Sequence, residues 1–488
     1  MPRFRWGILF LMAVSLACQH GQRDTVNDPF GDGGNATMQN ETHIAVRGNV
    51  MVVGWNNAGA RGWETEYGYS TDGGLKWVDA DALPPVSLDK QNVGDPVVAV
   101  GSTGDFYFAT MVFASNGEYF IGVYRSTQLS PAVRFGNPVL VPGSDLATMQ
   151  DKPWMAVDPT SGNVYLCWTD TGDLTIKFVR SGPPTPTAPL NFGGLSIMNT
   201  PGQAPGQGCN IGVGPSGEVY VTWIAGVGTN AENVETNGQR IYVRKSVDGG
   251  NNFGPAAEAA APDPSGDPGA SAACSVDRPN MRALAGNVRL ADMPVIAVDR
   301  SGGPFNGTVY IAYSGAAGPD RADVFVVRSP ADPAAPALGD PGVTWSEPIT
   351  IHKTPAATQE VDGPDTRSND NWMPAIAVSS SGTVAVSFYD RRNDAAANMK
   401  IDVYAAISRD GGVSWANQRV TSASFGVPRL LPHFRSSAPP CYMGDYNGMA
   451  AAGTAFHLVW GDNSRVVNSF NFPDGRPDPD IKYKRLVP

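Results

Sequence analysis

Short apolar triplets alternate with polar turns along the chain, and one unit returns seven times. Ile44-Ala45-Val46 leads to Trp55, Val98-Ala99-Val100 to Phe108, Met155-Ala156-Val157 to Trp168 and Ile211-Gly212-Val213 to Trp223. Ile296-Ala297-Val298 leads to Tyr313, Ile376-Ala377-Val378 to Phe388 and Met449-Ala450-Ala451 to Trp460. Apolar runs of this length, bounded by Gly, Asn and Asp, read as buried strands joined by turns. Most units continue into a third strand, such as Ile176-Lys177-Phe178-Val179-Arg180 or Asp402-Val403-Tyr404-Ala405-Ala406, and a fourth, such as Pro138-Val139-Leu140-Val141. A sheet this thin cannot bury its own faces, so the repeat predicts an all-β fold, a β-propeller of four-stranded antiparallel blades. The count gives seven blades; six, with one repeat misread, is the alternative. The seventh unit ends after its third strand, and residues 28 to 40 are expected to supply its outer strand, because an open ring would expose two sheet edges. Residues 254 to 290 and 315 to 345 read as loop insertions.

Three turns between third and fourth strands share one spelling. Ser70-Thr71-Asp72-Gly73-Gly74-Leu75-Lys76-Trp77 and Ser408-Arg409-Asp410-Gly411-Gly412-Val413-Ser414-Trp415 match Ser-x-Asp-x-Gly-x-x-Trp, and Ser246 to Phe253, with Asp248 at its centre, matches it with Phe last. Worn copies are Arg125-Ser126-Thr127 with Phe135, and Arg328-Ser329 with Trp345. An Asp carboxylate accepts backbone N–H groups, Gly takes positive φ and the aromatic residue folds back as a plug. The pattern resembles the Asp-box, or BNR repeat, of the sialidase superfamily. That resemblance covers 41 to 488 as one propeller. It implies that Asp72, Asp248 and Asp410 are structural and that any ligand meets the opposite face.

Gly (56) and Pro (41) are abundant and charged residues make up only 17%, which suits many short strands. A net charge of −11 offers no basic face, so nucleic acid is excluded as a partner. Arg3, Arg5, the apolar run from Trp6 to Ala13 and Ser15-Leu16-Ala17-Cys18 have the layout of an export signal. Ala17-Cys18 resembles a bacterial lipobox, with Ser15 where Leu normally stands. The expectation is a lipoprotein-type signal over 1 to 18, lipidation at Cys18, and a tether with a lead-in strand over 19 to 40. The protein is then exported and lipid-anchored in the bacterial envelope, at the outer membrane, or secreted, and contacts the membrane through its anchor only. For the remaining cysteines the first pairing to test is Cys209 with Cys274, and Cys167 reads as a small buried hydrophobe.

The residues ahead of the inner strands form an acidic series, Asp95, Asp151, Asp292, Asp370 and Asp445. These carboxylates are candidates for a Ca2+ site or an acid/base, or they cap backbone N–H groups at each blade junction. No Cys/His spacing suggests another metal or a cofactor. Tyr389-Asp390-Arg391-Arg392 should overhang the mouth, with Trp372 nearby as a sugar platform and Arg465 in an echo of the same loop. Sialidases clamp a carboxylate sugar with three Arg, use a Tyr activated by a Glu as nucleophile, and use an Asp as acid/base. The resemblance implies Arg289, Arg391 or Arg392, and Arg435 or Arg465 as the clamp, Tyr446 or Tyr442 as nucleophile, and Asp151 or Asp292 as acid/base, with Asp390 and Asp445 beside the ligand. The family's early Arg-Ile-Pro motif is absent. The sequence therefore supports a monomeric exo-glycosidase of sialidase type acting on extracellular glycans, or a non-catalytic propeller that binds glycan or an envelope protein.

Overall fold

The computed structural model describes residues 24–28, 38–59, 62–142, 145–185, 189–200, 203, 205–226, 238–267, 282–286, 288–317, 320–330, 340, 342–352, 369–394, 396–428, 442–469 and 472–488. The seven inner strands are Met38–Arg47, Val97–Val100, Gln150–Val157, Gly206–Val213, Val295–Val298, Asn371–Val378 and Gly448–Ala452. Each opens an antiparallel sheet in simple up-and-down order, for example Gln150–Val157, Val164–Asp170, Thr175–Ser181 and Gly193–Ile197. Every inner strand touches the next, and the first touches the seventh, so the ring closes. The fold is a seven-bladed β-propeller.

Hydrophobic burial follows the seams between blades. One cluster fills each junction among the described residues, as in the seam of blades three and four, where Tyr165 and Phe178 meet Ile211 and Trp223. Seven seams decide the blade count. The aromatic residues that end the second strands, Trp55, Phe108, Trp168, Trp223, Tyr313, Phe388 and Trp460, are all buried in them.

The three Asp turns are built alike. Ser70 Oγ donates to Asp72 Oδ1 (2.9 Å), which accepts Leu75 N–H and Lys76 N–H at 3.1 and 2.9 Å, and the same bonds recur around Asp248 and Asp410. These bonds hold the carboxyls of Asp248 and Asp410 near pKa 2. Gly74 must be glycine: its φ is +85°, and a methyl group there would lie 2.6 Å from the Tyr483 ring.

Three expectations need correction. The edge of blade seven is covered by residues 24 to 27, not 28 to 40: Val26 N–H donates to Ile481 O (2.8 Å), Tyr483 N–H to Asp24 O (2.8 Å), and Asn27 bonds Ile481 and Asp480. Val26 qualifies because it is apolar and fills the last seam at 1% exposure. The stretch 315 to 345 is not all insertion, because Asp320–Ser329 is the third strand of blade five. Cys209 pairs with Cys167, not Cys274, since the inner strand of blade four lies against the second strand of blade three with the two Cα atoms 6.3 Å apart. Cys18, Cys274 and Cys441, and with them the anchor, lie outside the described residues.

Candidate active site in the central channel

Counting three residues back from the apolar triplet of each inner strand gives Glu41, Asp95, Lys152, Gly208, Met293, Met373 and Tyr446. The strands of blades one, three, four and six bulge here. Glu41, Asp95, Lys152, Gly208 and Met373 take φ between +51° and +62°. Left-handed backbone is uncommon for Glu, Lys and Met, so the surrounding sheets hold it in place. The register divides the channel: blades one to three contribute three charged groups, and blades four to seven contribute a glycine, two methionines and a tyrosine. A small cavity of about 10 Å³, room for little more than a water molecule and partly open to solvent, is lined there by Lys152, Trp154, Asp445, Met293 and Met373.

Beneath it the charged groups interlock. The Tyr442 hydroxyl bonds the Glu41 carboxylate, lies 3.0 Å from Asp445 Oδ2 and accepts from Arg289 Nη2 at 2.9 Å. Arg289, delivered by the short hairpin Ala283–Leu284 and Val288–Arg289, pairs with Asp445 and covers the Tyr442 ring at 4.2 Å. Lys152 Nζ lies 2.6 Å from Asp445, 3.5 Å from Glu41 and 3.9 Å from Asp95. Asn56 aligns two of these acids: its Nδ2 donates to Glu41 Oε2 and its Oδ1 accepts Asp95 N–H, both at 2.7 Å.

The environments separate the two Asp residues. Burial would raise Asp445, but Arg289 and Lys152 outweigh it and hold its carboxyl well below the usual range. Burial lifts Asp95 well above that range; Lys152 opposes, and Glu41 and Asp151 reinforce the rise. Burial, with Asp445 and Glu41, also raises the Tyr442 phenol, whereas Lys152 stays cationic because the carboxylates outweigh its desolvation. The channel thus gathers a carboxyl whose burial favours its neutral form, a carboxylate held ionised by two cations and a phenol into one cluster, of which Asp445 and Lys152 line the pocket, the kind of contrast that acid/base chemistry uses.

Of the residues expected from the sequence, the fold brings together Arg289, Tyr442 and Asp445, with Asp95 from the acidic series. Tyr446 borders the pocket, but its hydroxyl donates to Pro96 O (3.1 Å). Arg391 is fully enclosed, bonded to Asp370 (3.2 Å) and Ala285 O (2.8 Å) and stacked on Trp372, itself 0% exposed. Arg392 pairs with Asp390 (2.6 Å), and Arg465 with Asp478 and Asp480. These Arg residues do not converge with Arg289, each being held by carboxylates of its own region. Arg435 lies outside the described residues. Asp151 accepts from Gln207 (3.4 Å), and Asp292 accepts Ser265 N–H (2.8 Å). Among the described residues no group of three or more His, Cys, Asp and Glu could hold a metal, and Lys152 and Arg289 supply the positive charge between the channel carboxylates. Glu41 and Lys152 were not anticipated, and counting back from the apolar triplets would have found both.

Asp292 carries a testable pH effect. Burial pushes its carboxyl up to about 6 despite the Ser265 bond. A folded pKa above the unfolded value makes ionisation costly, so stability falls as pH rises from about 4 through 6. Asp292→Asn is expected to gain about 3 kcal/mol over the wild type at pH 7.5 and nothing at pH 4, read from urea midpoints across that range. A gain independent of pH would contradict this.

No family model and no curated protein matches the chain. Solved structures do match. The GH93 α-L-arabinofuranosidase of Fusarium graminearum in complex with arabinobiose is 14% identical, covering 79% of this chain and 98% of that one, with a TM-score of 0.45. The sialidase NanB is 8% identical over 75% and 67%, with a TM-score of 0.46. An ulvan lyase of polysaccharide lyase family PL25 is 10% identical over 93% and 94%, with a TM-score of 0.50. These neighbours are carbohydrate-active propellers, and at such identities the likeness is one of fold.

Proposed function

We propose that this protein is an exported, envelope-anchored glycoside hydrolase of sialidase type, with Tyr442 rather than Tyr446 as nucleophile. The observation that carries the reading is the Tyr442 hydroxyl bonded to Glu41, to Arg289 and to Asp445, the last of which lines the channel pocket. Glu41 takes the phenolic proton as Tyr442 Oη bonds the anomeric carbon, and Arg289 stabilises the charge on that oxygen. Asp95, whose burial favours the neutral carboxyl, gives its proton to the departing glycosidic oxygen. Water then attacks the anomeric carbon as the bond to Tyr442 Oη breaks, one water proton goes to Asp95, and Glu41 returns its proton to the released Tyr442 phenolate. Lys152 and Arg289 favour an acidic sugar.

The test is release of 4-methylumbelliferone from acidic and neutral glycosides. Tyr442→Phe is expected to lower kcat about a thousandfold or more and Glu41→Gln about a hundredfold or more, with Tyr446→Phe within tenfold of wild type. A second reading, a propeller that binds acidic glycan without turnover, is favoured by the pairing of Lys152 and Arg289 with Asp445. Folded protein that turns over no substrate but binds acidic oligosaccharides saturably would establish it instead.

A further inference from the structure

We infer that the Asp-turn face of the propeller lies against the membrane surface, leaving the channel mouth to face outward. The inference rests on lipidation of Cys18 and is independent of any glycoside chemistry. Its first support is where the described chain begins. The strand Phe472–Leu486 runs away from the mouth, and Tyr483, near its end, packs on Trp77 of the first Asp turn with ring centroids 4.9 Å apart. Residues 24 to 27 pair antiparallel with that strand, Thr25 opposite Lys482, and Asp24 O accepts Tyr483 N–H. Traced back toward Cys18, the chain therefore leaves at Asp24 on the Asp-turn side. Six Cα steps separate Cys18 from Asp24 and span at most about 22 Å, too short a tether to carry the anchor round a blade to the mouth.

The second support lies on that face itself. Leu75, Val247 and Val413 stand at the tips of the three Asp turns with 65%, 76% and 55% of their surface exposed, and Val487 follows the last strand at 60%. Scattered exposed apolar residues are ordinary. Leu75, Val247 and Val413 lie on one face of the ring, in blades one, four and six, in turns whose Ser, Asp and Gly chemistry makes no demand for an apolar side chain; Leu88 and Val466, toward the mouth, are exposed singly and share no such motif. Exposed Lys76 and Arg409 sit in the same turns and suit anionic headgroups. Apolar tips set into the headgroup zone supplement an acyl anchor, which holds best with a second attachment.

The experiment uses the full chain in vesicles of phosphatidylethanolamine and phosphatidylglycerol, with Cys274→Ser and Cys441→Ser as background. A fluorophore is placed through Thr71→Cys in an Asp turn or Ser115→Cys on the mouth, both exposed positions. With a headgroup quencher, the label at 71 should be quenched about threefold more than that at 115, because a blade strand of seven residues separates the faces by about 20 Å. Equal quenching, or stronger quenching at 115, by protein that floats with the vesicles overturns the orientation. Failure to float, with Cys18→Ser behaving identically, overturns the anchor and the inference with it. Neither result bears on turnover, so the proposed hydrolysis stands or falls separately.

Discussion

Lys152→Met is expected to lower the free energy of unfolding by about 3–5 kcal/mol at neutral pH, because it removes the cation shared by a buried carboxylate set. Lys152 Nζ is within 4.0 Å of Glu41, Asp95 and Asp445. Methionine fills similar space, so the cost is electrostatic rather than a cavity. The effect has a sign in pH. In the wild type Asp445 titrates below its ordinary value of 3.8, so its contribution to stability is present above that pH and is lost as pH falls through the depressed value. In the variant Asp445 loses that support, its carboxyl moves up, and protonation relieves the strain. The gap between wild type and variant should therefore narrow as pH drops from 7 toward 4. Urea midpoints at several pH values measure it. Adding Asp445→Asn should recover part of the loss, giving a coupling of about 1–3 kcal/mol in a double-mutant cycle. A loss independent of pH, with no coupling, would mean that packing rather than charge holds Lys152.

The sequence carried the ring more plainly than the channel. Apolar triplets ending in an aromatic residue are demanded by every seam, so seven of them announce seven blades. The Asp turns likewise repeat because each solves the same backbone problem. The site is made of differences between repeats, and a search for shared shapes passes over it. Asp95-Pro96, Asp151-Lys152-Pro153 and Asp292-Met293-Pro294 look alike, yet Asp95 stands in the register of Lys152 and Met293, one residue nearer its strand, so it joins the channel cluster, while Asp151 bonds Gln207 of blade four and Asp292 bonds Ser265 N–H. Lys152 reads as a flanking residue for the same reason. Glu41 has no Pro after it and stands at the very first position read as propeller, so nothing in its surroundings marks it out. Tyr389-Asp390-Arg391-Arg392 stood out by its charge density, but Arg392 is bonded to Asp390 two residues before it, and Arg391 to Asp370 at the start of the neighbouring strand, which no local spacing reveals. The disulfide escaped because Cys167 sits in the apolar run Val164-Tyr165-Leu166-Cys167-Trp168, which is also what a buried thiol would show.

That bond underlies the second large effect. Cys167 belongs to the second strand of blade three and Cys209 to the inner strand of blade four, 42 residues on, and Cys209 also lines the channel pocket. Closing a loop of that length restricts the unfolded chain by an amount worth about 4 kcal/mol. The double variant Cys167→Ala, Cys209→Ala is expected to unfold with that much less free energy, and to do so with Lys152 and its partners intact, since the two features act through different terms and should add. Both sulfur-bearing residues are buried, at 0% and 3% exposure, so a reductant reaches them only when the seam opens. Treatment of the native protein with dithiothreitol should therefore leave stability unchanged until denaturant is added. Alkylation of the unreduced, unfolded protein followed by peptide mass mapping decides the pairing: a fragment joining 167 to 209 is expected, and one joining 209 to 274 would show that blades three and four are not stapled at the channel wall.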